Sequence, residues 1–236
     1  MDTTKVLETD LEVGPSSIDA YSRLSYTMWF ALAGFIDNST QSRLNYDGII
    51  DPVLESEGQP LTVSIVHDRI KKEITIEDNS IGMTKQDLID ALRIAYPTKD
   101  SKGRSKYGMG LKTAACWIGR RWKIVTTELF SGEEWTADVD VDAVSKLGKK
   151  IPLTMTPVST NRHGTRIVIS GLHRNILKRT EENIRAYLGS MYRFDIASGR
   201  LRIVYNGEDV AGPEGYDIDT DPEGRLMRHE LPEKEI

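Results

Sequence analysis

With 236 residues, 39% of them hydrophobic and 28% charged, the chain has the length and balance to bury a real core. A formal charge of −5 excludes a uniformly basic nucleic-acid coat, although a local basic patch stays compatible with it. The single cysteine, Cys116, excludes an internal disulfide framework and leaves too few thiolates for a structural zinc site.

Residues 1–19 are polar, carry the breaker Gly14-Pro15 and read as a flexible arm. From about Ile18 to Tyr46 the pattern is helical, with Met28, Leu32, Phe35 and Ile36 forming an apolar stripe for packing on a sheet. Asp51-Pro52 and the run from Glu55 to Pro60 mark a loop. Leu61–His67 alternates as a strand, Asp68–Lys72 turns the chain, and Glu73–Glu77 returns as its hairpin partner. Thr84, with Asp87 three residues on, predicts an N-cap and a helix to about Ile94.

The polar span Ala95–Lys106 is expected to be a mobile lid. A helix from about Gly110 to Ile118 precedes the strands Trp122–Thr127 and Trp135–Val141, which a turn at Ser131-Gly132 joins. Arg166–Ser170 is a further strand, Thr180–Tyr192 a helix, and Leu201–Tyr205 a strand ended by Asn206-Gly207. Without a regular βαβ alternation, the expected class is α+β: a two-layer α/β sandwich on a mixed, largely antiparallel sheet. No stretch approaches the roughly 20 apolar residues of a membrane span, and no signal-peptide pattern begins the chain. A cytoplasmic location, with no membrane partner, is the expectation.

Four segments could carry chemistry. Asn38 lies one helical turn beyond Gly34, on the same face, and its amide oxygen suits Mg²⁺, which prefers oxygen donors and keeps several waters. Alone it reads first as a solvated helix residue. Asp78 ends an otherwise buried strand, where a carboxylate can accept a hydrogen bond from an exocyclic amine such as that of adenine. Gly82 lets a ring approach the backbone and Met83 offers it a polarizable face, although an ordinary Asp-Asn turn fits the same residues.

The third segment is Tyr107-Gly108-Met109-Gly110-Leu111-Lys112, where a helix begins. Its glycines permit a nest of backbone N–H groups at a helix N-terminus, a setting that holds phosphates. Lys112 opposes the helix dipole there, and a nearby anion would rationalise it. Thr165, after Gly164, could bond a base or a water beside it. The histidines are scattered without ligand spacing, and Cys116 reads as a core residue, so neither supports a catalytic role.

In their order and spacing, Ala31 to Ser39, Asp78 to Met83, Tyr107 to Lys112 and His163-Gly164-Thr165 resemble the GHKL ATPase superfamily, named for gyrase, a heat-shock chaperone class, histidine kinases and MutL. The branch that includes the MORC proteins and their bacterial relatives is the most similar. The resemblance implies a Bergerat-type ATP-binding fold over residues 20–207, with 208–236 as a tail or the start of a transducer-like region. It implies ATP and Mg²⁺ as cofactors: the metal on Asn38, the adenine amine on Asp78, and the phosphates on the glycines and Lys112. It also implies a nucleotide-dependent homodimer, with DNA or a partner protein held through regions outside this chain.

Two departures stand out. Ser80 takes the place of the usual first glycine of the adenine motif, an exchange between small residues. Gly34 stands where hydrolysing members place a glutamate that polarises the attacking water. Because general-base assistance contributes about 10² to 10⁴ in rate, the resemblance predicts intact nucleotide binding with impaired hydrolysis. A nucleotide-switched clamp is therefore the leading expectation. A histidine-kinase-like catalytic domain and a non-hydrolysing ATP-sensing module are the alternatives.

Overall fold

The computed structural model describes residues 17–93, 110–148 and 150–213. The described strands are β1 (Leu61–Asp68), β2 (Glu73–Asp78), β3 (Gly119–Thr127), β4 (Glu133–Asp140), β5 (Leu153–Pro157), β6 (Gly164–Leu172), β7 (Leu201–Tyr205) and β8 (Glu208–Asp209). They form one sheet in the order β5-β4-β3-β6-β2-β1-β7-β8, in which every neighbouring pair is antiparallel except β1 and β7. The sheet is thus mixed and largely antiparallel.

Alternation along the strands sorts the two faces. Val63, Ile65, Ile74, Ile76, Trp122, Ile124, Val139, Ile167, Ile169 and Ile203 are all buried on the inner face. The outer face carries charge instead, with Glu77 facing Arg166, Arg121 facing Asp140 and Arg202 facing Asp209.

Helices cover the inner face: α1 (Ser17–Ala20), α2 (Met28–Asn45), α3 (Asp47–Ser56), α4 (Lys85–Leu92), α5 (Gly110–Ile118), α6 (Val141–Leu147), α7 (Lys178–Met191) and α8 (Arg193–Ala197). Helix α2 packs on β1 and between α5 and α7. That position explains why it buries Ala31, Ala33, Ser39 and Thr40 as well as the expected Met28, Leu32, Phe35 and Ile36. A helix flanked on several sides has little solvent face to spare. The result is the two-layer α+β sandwich expected from the sequence.

Several local expectations need correction. The helix expected over Ile18–Tyr46 is interrupted: α1 and a 3₁₀ turn at Tyr21–Arg23 end at an extended Leu24, and α2 starts only at Met28. Ile18 already lies in the core, so packing begins inside the stretch read as an arm. The loop expected from Asp51-Pro52 onward is largely helix α3. Pro52 removes a helical hydrogen bond there, but Ile50 and Leu54 are buried one turn apart. The Arg43 guanidinium adds a two-pronged grip on Asp51, at 2.6 and 3.1 Å.

Helix α6 and strand β5 were not anticipated. Asp140 caps α6 by accepting from Ala143 N at 3.0 Å, and Gly148 ends it in the left-handed region at φ 59°. Strand β5 is an edge strand with almost no buried side chain, so it carries no alternation to read.

The predicted cap of α4 is a full capping box, in which Thr84 and Asp87 each satisfy the other's backbone N–H. Thr84→Ala should cost about 1 kcal/mol of stability, read from the urea unfolding midpoint.

Candidate functional site

The core of the inner face ends in a polar row. Asp78, Thr165 and Thr126 continue the inward positions of β2, β6 and β3 beyond Ile76, Ile167 and Ile124, and they are paired neighbours in register. Three polar side chains therefore stand side by side where the adjacent row is aliphatic. The Thr126 and Thr165 hydroxyls are 2.9 Å apart, and Thr126 Oγ1 also accepts from the backbone N–H of Met83 at 2.9 Å.

Asp78 is held from two directions. Ser39, on α2, donates its hydroxyl to Oδ2 at 2.9 Å. Ser80 donates both its N–H, at 3.0 Å, and its hydroxyl, at 2.5 Å, to Oδ1. Burial pushes the Asp78 carboxyl above the usual range, while hydrogen bonds from Ser80, Ser39 and the Thr165 backbone oppose that shift. The Ser39 bond matters for geometry, because Ser39 follows Asn38 directly. It brings the end of β2 to the part of α2 that carries the expected magnesium ligand.

The loop from Asn79 to Met83 is pinned along its length. Asn79 accepts from Thr62 N at 2.6 Å and donates to Pro60 O at 3.1 Å, which makes it a staple to β1. Ile81 O accepts from Leu129 N at 2.9 Å. Gly82 has φ +81°, and a Cβ on it would lie 1.9 Å from Thr127 O. The backbone of β3 fills the space that a side chain at Gly82 would need, so the loop requires a glycine there for its own packing. Gly82→Ala should therefore cost about 3 kcal/mol or more, checked by urea unfolding. Gly164 is similarly required, since a Cβ there would lie 2.2 Å from Asp78 O. Met83 is partly buried against the core.

On the opposite side, α2 and α5 meet at glycines. A Cβ on Gly34 would lie 3.7 Å from Gly110 O and 4.0 Å from Ala114 Cβ, so the position faces the start of α5 with ordinary clearance. Leu111 packs partly into the core. Lys112 is buried and donates to Arg93 O, at the C-terminal cap of α4. This carbonyl is its partner here, where the sequence suggested an anion, and a helix C-terminus suits a cation. Burial holds the Lys112 ammonium below the usual lysine value. Tyr107, Gly108, Met109 and the expected lid 95–106 lie outside the described residues.

The family described as histidine kinase-, DNA gyrase B- and HSP90-like ATPases matches residues 26–166, more than half of the chain. The chain belongs to this ATPase family. The match takes in α2, Asp78 and its loop, α5 and Thr165.

Curated relatives agree with the assignment. The chaperone protein HtpG of Mesorhizobium japonicum is 27% identical over 140 residues, covering 54% of this chain and 21% of its own length. The ATPase morc-1 of Caenorhabditis elegans is 22% identical over 199 residues, covering 78% of this chain and 24% of its own. HtpG of Nitrobacter winogradskyi reaches 40% identity over 50 residues, 21% of this chain and 8% of that protein. The chain spans at most about a quarter of the length of these relatives. No described helix is long and apolar enough to cross a membrane.

Set against the expected residues, the structure brings Asn38, Asp78 and Thr165 to one end of the sandwich, with Gly34 and Gly110 facing each other beside them. Sequence reasoning missed Ser39, Thr126 and His163, and it undervalued Ser80. Ser39 and Thr126 sit at inward positions of recognised elements, which is the signal that could have found them. His163 had no such signal, since its contacts are to residues 83 and 106 positions away.

Proposed function

We propose that this chain binds ATP with Mg²⁺ at the end of the sandwich where α2, β2 and α5 converge. Within that reading Asp78 accepts the exocyclic amine of adenine and Thr165 stands beside it. Asn38 offers its amide oxygen to the metal, and the motif residues Tyr107, Gly108, Met109, Gly110 and Lys112 are assigned to the phosphates. One observation carries most of the weight: the half-buried Asp78 carboxylate is tied by Ser39 to the Asn38 turn of α2, so base reader and metal ligand are neighbours. The donor set fits the group, since Mg²⁺ takes few protein oxygens and completes its shell with phosphate and water. Bound magnesium would neutralise phosphate charge, while this chain's own residues orient the nucleotide.

Hydrolysis is slow in this reading because Gly34 supplies no base. Asp37, the nearest carboxylate in sequence, is engaged elsewhere: its Oδ1 accepts from the hydroxyl of Tyr192, the residue that follows α7, at 2.8 Å. The chain then acts as a nucleotide-switched clamp that dimerises when loaded, with DNA or a partner protein engaged through other parts of a longer protein. The names of the relatives, an ATPase and a chaperone, support that direction. A non-hydrolysing nucleotide-sensing module is the second reading, and Gly34 favours it.

Calorimetric titration tests the core of the reading. ATP with Mg²⁺ should bind, chelation of the metal should weaken ATP far more than adenosine, and a slowly hydrolysed ATP analogue should shift the sedimentation coefficient towards a dimer. Absence of ATP and ADP uptake would sink it.

A further inference from the structure

His163 has both ring nitrogens on acceptors. Nδ1 lies 2.8 Å from the Ser80 carbonyl oxygen and Nε2 lies 3.1 Å from Glu57 Oε1, with only 4% of the side chain exposed. A carbonyl and a carboxylate accept but do not donate, and a neutral imidazole has one N–H. Both contacts are hydrogen bonds together only when the ring is an imidazolium, and Glu57 supplies the counter-charge that so enclosed a cation needs.

The residue it grips is pivotal. Ser80 is 3% exposed, and its N–H and hydroxyl clasp the Asp78 carboxylate while its carbonyl meets His163. Glu57 is the C-cap residue of α3. The histidine therefore ties the end of a helix to the loop that orients Asp78.

We propose that His163, as an imidazolium paired with Glu57, is a positioning residue that fixes the Ser80 loop and through it the Asp78 carboxylate. The inference rests on the nucleotide-binding reading of that pocket. Other charged groups around the ring have their own partners. Arg162, its chain neighbour, pairs with Glu134 of β4 at 2.9 Å, and Arg166 faces Glu77 on the outer side of the sheet. Asp78 stands one residue beyond, engaged by Ser80. Glu57 is the carboxylate in contact with the ring.

Loss of the ring proton leaves at most one of the two bonds, so the loop spends less time in its binding geometry. Apparent affinity falls with the competent fraction.

The test has two arms on the same protein. In the free protein, ¹⁵N–¹H spectra of the imidazole, assigned by the signal lost in His163→Gln, should show both ring nitrogens protonated at pH 6. The Ser80 and Ile81 amide signals should move with the ring as the pH rises. In the second arm, wild-type affinity for ADP relative to that of His163→Gln should fall by about tenfold between pH 6 and pH 8. Reference to His163→Gln cancels the titration of ADP itself.

A single neutral tautomer at pH 6, amide signals that ignore the ring, or a pH profile shared by wild type and His163→Gln would overturn the proposal. If ADP binds at no pH, the nucleotide reading fails, and the ring and amide spectra still decide whether the latch exists.

Discussion

Gly34→Glu is expected to raise the single-turnover rate of ATP hydrolysis by about 10² to 10⁴, the usual range for a positioned general base. Gly34→Gln should leave the rate where it is. The structure makes the substitution feasible, because a Cβ at position 34 meets Gly110 O and Ala114 Cβ at ordinary van der Waals distances. A carboxylate there would also point at the N-terminal end of α5, where positive partial charge stabilises it. Replacing a mid-helix glycine should add about 0.5–1 kcal/mol of stability besides. Equal rates for the Glu and Gln variants, with tight nucleotide binding in both, would leave the sensing module as the better account.

Asp78→Asn should weaken ATP and ADP binding by roughly 30-fold or more, since it removes a charged acceptor worth about 2 kcal/mol or more at a half-buried site. Calorimetry at pH 7.5 reads the loss directly, and unchanged affinity would remove Asp78 from the base pocket.

The same pair of proteins carries a pH signature. Burial raises the folded-state pKa of Asp78 above its unfolded value. Between those two values the folded chain binds the proton better than the unfolded chain, so the stability contributed by Asp78 is fully present below the unfolded value. It declines as pH rises through the folded value, and it is constant above. Urea unfolding of wild type and Asp78→Asn from pH 4 to 8 should therefore show the wild type losing ground to the variant as pH increases. A difference that grows in favour of the wild type with pH would show that the Ser39 and Ser80 bonds outweigh burial.

Much of the architecture was legible because it follows local rules. The alternation in Leu61–His67 and Glu73–Glu77, the Thr84–Asp87 box and the helix beginning at Gly110 all involve residues close in sequence, and each is found where expected. Pro52 misled because its cost is local, whereas the burial of Ile50 and Leu54 that offsets it comes from the rest of the fold. Strand β5 was invisible because an exposed edge is held by backbone bonds to β4, and those leave no mark on side-chain choice. Lys112 shows the same limit, since its carbonyl partner at Arg93 lies on another helix.

By itself the sequence determined the family and the residue types at its motifs: Asn38, Asp78, the glycines that end loops, and the missing carboxylate at position 34. Such identities are read one position at a time and need no coordinates. Tertiary structure alone decided what those residues touch. Ser39 from α2 meets Asp78, β3 fills the space a side chain at Gly82 would need, and His163 joins Ser80 to Glu57. These are contacts between segments distant in the chain, and only the packing of helices on a sheet brings them within hydrogen-bond reach.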